Sequence, residues 1–180
     1  MSSGTSLVAL GSGGISVTTT TSNTTVNAIT MVGMDLLSKE GDIEMATNGR
    51  FSWATNAARA IGSKSTGDIT TSSANVRITA QGFIDSTGNS LSKISTSGKV
   101  EILPASGSFG VDSHLNFEVE AETFEFGGTA DVNSATKNII LYKDVTTSGA
   151  ITISAATITV VNGVDLVTTG DQSRITLKAK

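Results

Sequence analysis

Cysteine is absent from the 180 residues, so disulfides and thiolate metal sites are unavailable to this chain. Aromatic residues are scarce, with six Phe, one Trp and one Tyr, too few large side chains for a compact globular core of this length. Apolar shelter must then come from thin layers of small and branched residues, or from other copies of the same chain. Basic excess is missing as well: 12 Lys and Arg stand against 16 Asp and Glu, for a net charge of −4. A nucleic-acid partner, which would favour a basic stripe, is therefore not expected. No segment approaches the ~20 apolar residues that span a bilayer. The opening MSSGTSLVAL has neither the basic start nor the apolar run of a signal peptide, so secretion by the standard route is not expected.

What is abundant is Ser and Thr, 51 of 180 residues, together with 19 Gly. Such a composition suggests disorder until the rest is weighed. Disordered chains combine low hydropathy with high net charge, whereas here the mean hydropathy is +0.11 and β-branched residues are plentiful. Many of the Thr lie within extended segments, where a β-branched side chain fits a pleated surface. The chain is thus expected to be folded and all-β.

Alternation with period two recurs along it. GSGGISVTTTT sets Ile15 and Val17 on one face, GDIEMAT sets Ile43 and Met45, and SGKVEIL sets Val100 and Ile102. SHLNFEVEAETFEF alternates Leu115, Phe117, Val119 and Ala121 against Asn116, Glu118, Glu120 and Glu122. SGAITISAATITVV supplies Ile151, Ile153, Ile158 and Val160, and QSRITLKAK ends the series with Ile175 and Leu177. Several segments open alike, as in Gly41-Asp42-Ile43, Gly67-Asp68-Ile69, Gly98-Lys99-Val100 and Gly149-Ala150-Ile151. Glycine before the strand allows a sharp corner. The repeat is degenerate, with 26 residues from Ile43 to Ile69, 31 from Ile69 to Val100 and 24 from Ile151 to Ile175.

Short strands joined by tight corners fit an elongated β-helix or solenoid better than a sandwich. Residues 61–180 are expected to form this repetitive prism. Residues 1–60, where Met31, Met34, Leu36 and Leu37 enlarge the pattern, are expected to be an attachment or capping region of mixed β-structure with short helical turns. Helical candidates are VGMDLLSKEG, residues 32–41, and TNAARAIG, residues 55–62.

The Gly-polar-apolar-polar-apolar texture of GDIEMA, GDITTS and GAITIS, ending in SRITLKAK, resembles the β-helical spikes at the tips of contractile phage tails and of type VI secretion and related injection systems. The resemblance covers about residues 41–180. It implies an intertwined homotrimeric triple-stranded β-helix at a virion tail tip or injection-system tip, with baseplate or tail hub proteins and the target cell envelope as partners. Two features depart from that family: residues 1–60 are short for the barrel that usually precedes the needle, and no terminal His-x-His pair is present, His114 being the only histidine. A physical argument points the same way, because a one-sided strand lacks an opposing layer that two sister chains would provide. On this reading Ile151, Ile153, Ile158, Val160, Ile175 and Leu177 are inward layers of the trimer.

Reactive constellations are few. Asp112, Ser113 and His114 are adjacent, and neighbours on a strand point to opposite faces, so they make no triad by adjacency. Glu118, Glu120 and Glu122 share one strand face and are the weak candidates for a hard-cation site; the weightier reading is a solvated face whose like charges discourage lateral pairing. GSGG at Gly11–Gly14 lacks the Lys-Ser/Thr of a phosphate loop and reads as a corner. The expectation is a structural, non-enzymatic spike or fibre acting mechanically at the cell envelope. No cofactor is expected, and an ion on the trimer axis is the one addition the architecture admits. The alternative is a single-chain β-solenoid adhesin or filament-forming protein at the cell surface.

Overall fold

The computed structural model describes residues 5–32, 34–54, 69–71, 74–84, 93–105, 109–110, 112–127, 138–171 and 173–179. Every regular element among them is a β-strand. The strands come in threes: β1 (Thr5–Ala9), β2 (Ile15–Thr19) and β3 (Asn27–Val32), then β4 (Met34–Ser38), β5 (Ile43–Thr47) and β6 (Arg50–Ala54). Next are β7 (Ile69–Thr71), β8 (Val76–Ala80) and β9 (Gly82–Ile84), followed by β10 (Lys93–Thr96), β11 (Lys99–Pro104) and β12 (Ser113–Leu115). The series continues with β13 (Glu118–Ala121), β14 (Thr123–Phe126), β15 (Ile139–Leu141), β16 (Val145–Thr147), β17 (Ile151–Ser154) and β18 (Ile158–Val160). It ends on β19 (Leu166–Thr168) and β20 (Ile175–Lys178).

From β1 to β17 each strand except β9 pairs in parallel with the strand three places on. This produces one seven-stranded sheet from β1 to β19, a second from β2 to β20, and a third face made of β3-β6-β9 and β12-β15-β18. The molecule is a parallel β-solenoid whose three faces all come from one chain. Within one chain each face has the other faces opposite it, and the core columns are buried between them.

The inward columns show how. On the second face Ile15, Ile43, Val76, Val100, Phe124, Ile151 and Ile175 stack in register, and beside them run Val17, Met45, Ile78, Ile102, Phe126, Ile153 and Leu177. The five middle members of each column are at most 1% exposed. Phe109 fills the interior beside this face, its ring edge-on to Phe126 with centroids 5.6 Å apart. Branched aliphatics and a few Phe therefore suffice, because a solenoid core is only a few side chains wide.

Two sets of polar side chains hold the corners. The first face carries an inward hydroxyl column, Ser38, Thr71, Thr96, Thr147 and Thr168, interrupted by Ala121. Three of them bind corner backbone: Ser38 Oγ donates to Gly41 O at 2.6 Å, Thr147 Oγ1 donates to Gly149 O at 2.9 Å, and Thr96 Oγ1 donates to Ala74 O of the preceding turn and accepts from Gly98 N at 2.9 Å. The second set is Asx residues placed one before a strand. Asp42 Oδ1 accepts from Asn75 N at 2.7 Å, Asn75 Oδ1 from Lys99 N at 2.9 Å, Asp112 Oδ1 from Asn138 N at 3.0 Å, and Asp144 Oδ1 from Asp165 N at 2.8 Å. Each bond ties a corner to its equivalent in the following turn, satisfying a donor the parallel ladder leaves open.

One expectation changes. None of the described residues within 32–41 is helical: Val32 ends β3 and β4 spans Met34–Ser38, because Leu36 enters the core between Leu7 and Ile69 in the column of the first face. Strands β1 to β6 belong to the same three faces as the strands that follow. The helical turn expected over residues 55–62 lies outside the described residues.

Candidate functional site

Polar chemistry is concentrated on the outside of the second face. Alternation turns Glu44, Arg77, Glu101 and Glu125 outward in one register column. Lys99 lies one column over and reaches both neighbours, its Nζ standing 2.6 Å from Glu101 Oε1 and 3.4 Å from Glu125 Oε2. Arg77 Nε adds a 3.4 Å contact to Glu101 Oε2. The hydrogen bond to Glu101 holds the Lys99 ammonium above the ordinary lysine value of 10.5, aided by the charges of Glu101 and Glu125 and opposed by partial burial. A cation between two carboxylates on adjacent strands is what keeps this column from repelling itself.

Beside it, Asp42, Glu44, Asn75, Arg77 and Glu101 border a shallow depression of about 210 Å³. A second groove, of about 370 Å³, follows the corner between the first and second faces, where Ser95, Glu120 and Thr146 form an outward column and Glu122 and Ser148 stand at the rim. Both are open troughs between strands. No aromatic ring lines either one.

Of the acidic series, Glu120 and Glu122 border this second groove. Glu118 and Glu120 point outward from β13, Glu122 sits at the corner beyond it, and all three are exposed. Glu120 Oε1 is 2.5 Å from Lys93 Nζ on the neighbouring strand. Among the described residues no group of three His, Asp or Glu side chains is arranged to hold a metal ion.

The Asp112-Ser113-His114 run is dispersed as alternation requires. Asp112 is engaged with the Asn138 amide, Ser113 faces the interior, and the imidazole of His114 lies edge-on to Tyr142 with ring centroids 5.7 Å apart. Of the six side chains expected as inward layers, Ile151 and Ile153 are fully buried and Ile158 is partly covered, while Val160, Ile175 and Leu177 are 40%, 42% and 47% exposed. All six occupy inward columns, and their exposure rises only as the solenoid reaches its last turn.

What sequence reasoning missed are the corner ligands. Their signals are present as Thr-x-Gly in Thr47-Asn48-Gly49, Thr96-Ser97-Gly98 and Thr147-Ser148-Gly149, and as an Asp or Asn just before the strands that begin at Ile43, Val76, Ser113, Ile139, Val145 and Leu166.

Among the described residues no helix is long and apolar enough to cross a membrane. Comparison with models of known families, with curated proteins and with solved structures yields no match to this chain.

Proposed function

We propose that this protein is a structural, non-enzymatic rod: a single-chain β-solenoid that serves as a fibre or filament element, in which the whole length of the molecule is the working part. The observation that carries this reading is the pair of unbroken inward columns on the second face, seven residues each, closed against the other faces by the same chain. A parallel ladder running the length of the molecule loads its hydrogen bonds in parallel across three faces, which suits it to resist bending and pulling. Polar groups point to the same role, since Asp42, Asp112 and Asp144 are engaged in corner bonds and Glu101, Glu120 and Glu125 in ion pairs.

This reading favours the filament alternative over the three-chain needle, because the shelter that motivated three chains is found within one. A tail-tip or injection-system setting remains open to a rod of this kind, with the envelope and baseplate partners that setting implies. Small-angle scattering of a dilute sample tests the shape, and a panel of soluble glycans tests the chemistry. The expected results are an elongated particle of one chain and no glycan turnover. A globular profile would overturn the rod, and turnover lost on changing Glu120 or Glu122 would overturn the non-enzymatic role.

A further inference from the structure

Both ends of the solenoid are open among the described residues. At one end β1, β2 and β3 pair only with β4, β5 and β6; at the other β18, β19 and β20 pair only with β15, β16 and β17. An unpaired edge of this kind is a template for another chain, and folded proteins blunt it with charges, proline, bulges or a covering element. Here the first charged residue of the chain is Asp35, the single proline is Pro104, and among β18, β19 and β20 the only charge is Lys178. Of the large apolar side chains exposed near these ends, Leu7 at the first and Val160, Ile175 and Leu177 at the last belong to the core columns, whereas Val8, Leu10, Val26 and Val167 do not; Ile15 and Ile29 of the first turn are each 7% exposed.

We infer that the partner of each end is the opposite end of a second copy, so that the rods stack head to tail and continue the solenoid. The inference rests on the single-chain reading above and adds the identity of the partner. Three features of the ends support it. All strands run parallel, so the free edges of β20 and β2 have the same sense when one copy is moved along the rod axis, whereas head-to-head contact would oppose them. The hydrogen-bond phase also matches: within the chain the inward residue donates to the residue before its partner, as in Ile15 N to Asp42 O at 2.8 Å, Ile43 N to Asn75 O at 2.9 Å and Ile151 N to Arg174 O at 2.9 Å. Pleat alternation therefore leaves the backbone groups of Ile175 and Leu177 facing out at the last edge and those of Ser16 and Thr18 facing out at the first. The next bond in the series runs from Ile175 N–H to Gly14 O of the second copy.

The side chains then continue their columns. Ile175 meets Ile15, Leu177 meets Val17, and Leu166 meets Leu7, each an apolar residue on an apolar residue. On the outer surface Thr176 meets Ser16 and Lys178 meets Thr18, so no like charges oppose. The contact is heterologous and does not close on itself, so it propagates. Each copy adds seven strands to each of two faces, about 34 Å of rod at ~4.8 Å per strand.

The test uses the full chain and two end variants. Sedimentation of the parent across a concentration series should show mass rising from 18.3 kDa in whole-chain steps. Leu177→Asp disables the last end and Val17→Asp the first, and each alone should remain a single chain at every concentration. Mixed in equal amounts they should form pairs and stop there, because each retains one working end. Circular dichroism verifies the fold of each variant. Ser16→Pro, which removes a donor only from the free edge, replaces Val17→Asp if that variant does not fold. A parent that stays at one chain at all concentrations overturns stacking and leaves the single-chain rod standing. Variants that associate like the parent, or a mixture that fails to pair, also overturn it. A mass fixed at three chains overturns both stacking and the single-chain rod.

Discussion

Ile153 and Leu177 occupy the same inward column, one turn apart, and comparing their truncations tests how the core is closed. Ile153 is fully buried, whereas Leu177 is 47% exposed, with no turn beyond it among the described residues. Ile153→Ala deletes three carbon groups at about 0.8 kcal/mol each and leaves a cavity that tight columns cannot collapse, for a loss of roughly 3–4 kcal/mol. Leu177→Ala gives up only about half the transfer energy and opens no enclosed void, so its loss is about 1 kcal/mol. Taking a urea slope of roughly 2 kcal/mol/M, the midpoint should fall by about 1.7 M in the first case and about 0.5 M in the second. Urea unfolding followed by circular dichroism, at a concentration low enough to keep the ends free, makes the comparison. Equal losses would refute the reasoning, since that outcome requires Leu177 to be as enclosed as Ile153 and the layers to be completed by other chains.

Five further substitutions probe the corners and the outer face. Thr96→Val strips a buried hydroxyl that serves Ala74 O and Gly98 N, and thermal unfolding should show a loss of about 1–3 kcal/mol. Thr71→Val in the same column should be neutral or stabilising, because the Thr71 hydroxyl is buried without a hydrogen-bond partner among the described residues. Gly127→Ala meets two obstacles, a φ of +101° and a methyl that would sit 2.0 Å from Ser154 O, so its loss should exceed the ~1–3 kcal/mol of strained backbone alone; Gly163→Ala, at φ +84° with open space around it, should stay within that range. Because the folded-state Lys99 value is raised, its pairing with Glu101 and Glu125 stabilises the fold fully below pH 10.5 and is lost as pH rises through the elevated value. Lys99→Met should therefore lose less stability than the parent between pH 10 and 12, and identical pH profiles would contradict the ion-pair role.

The alternation that made the strands legible also sets the six C-terminal aliphatics on one side of their strands, in register with Ile139, Leu141, Phe124 and Phe126. What alternation alone could not supply was phase between turns. Ile43, Ile69 and Val100 look like successive repeats, yet Ile69 belongs to the first face while Ile43 and Val100 belong to the second. The true equivalents are Ile43, Val76, Val100, Phe124, Ile151 and Ile175, and the spacing is 24 residues from Val76 to Val100, from Val100 to Phe124 and from Ile151 to Ile175. Longer connections elsewhere, such as the 33 residues between Ile43 and Val76, conceal that period. Once the turn is known to hold three strands, one chain has three faces to set against each other, and the scarcity of aromatics ceases to call for sister chains.

Residues 32–41 misled for a related reason. Met34, Leu36 and Leu37 have good helix propensity, but the ladder already running through Leu7 and Ile69 decides their conformation, so pairing overrides propensity. The acidic run was legible as a face, and its ion pair to Lys93 was not, because that depends on which strand lies beside β13. The Asx and Thr-x-Gly corners were written in the sequence throughout; they escaped notice because hydroxyl-rich text reads as loop until the corner backbone that needs those oxygens is seen.

The central claim is that a lone molecule encloses its own core, and the most direct measurement is the mass of a dilute, folded sample. Sedimentation equilibrium at concentrations too low for end-to-end contact should give 18.3 kDa together with an intact β circular-dichroism signal. A mass of three chains that persists on dilution, with loss of the β signal whenever the assembly is forced apart, would contradict it.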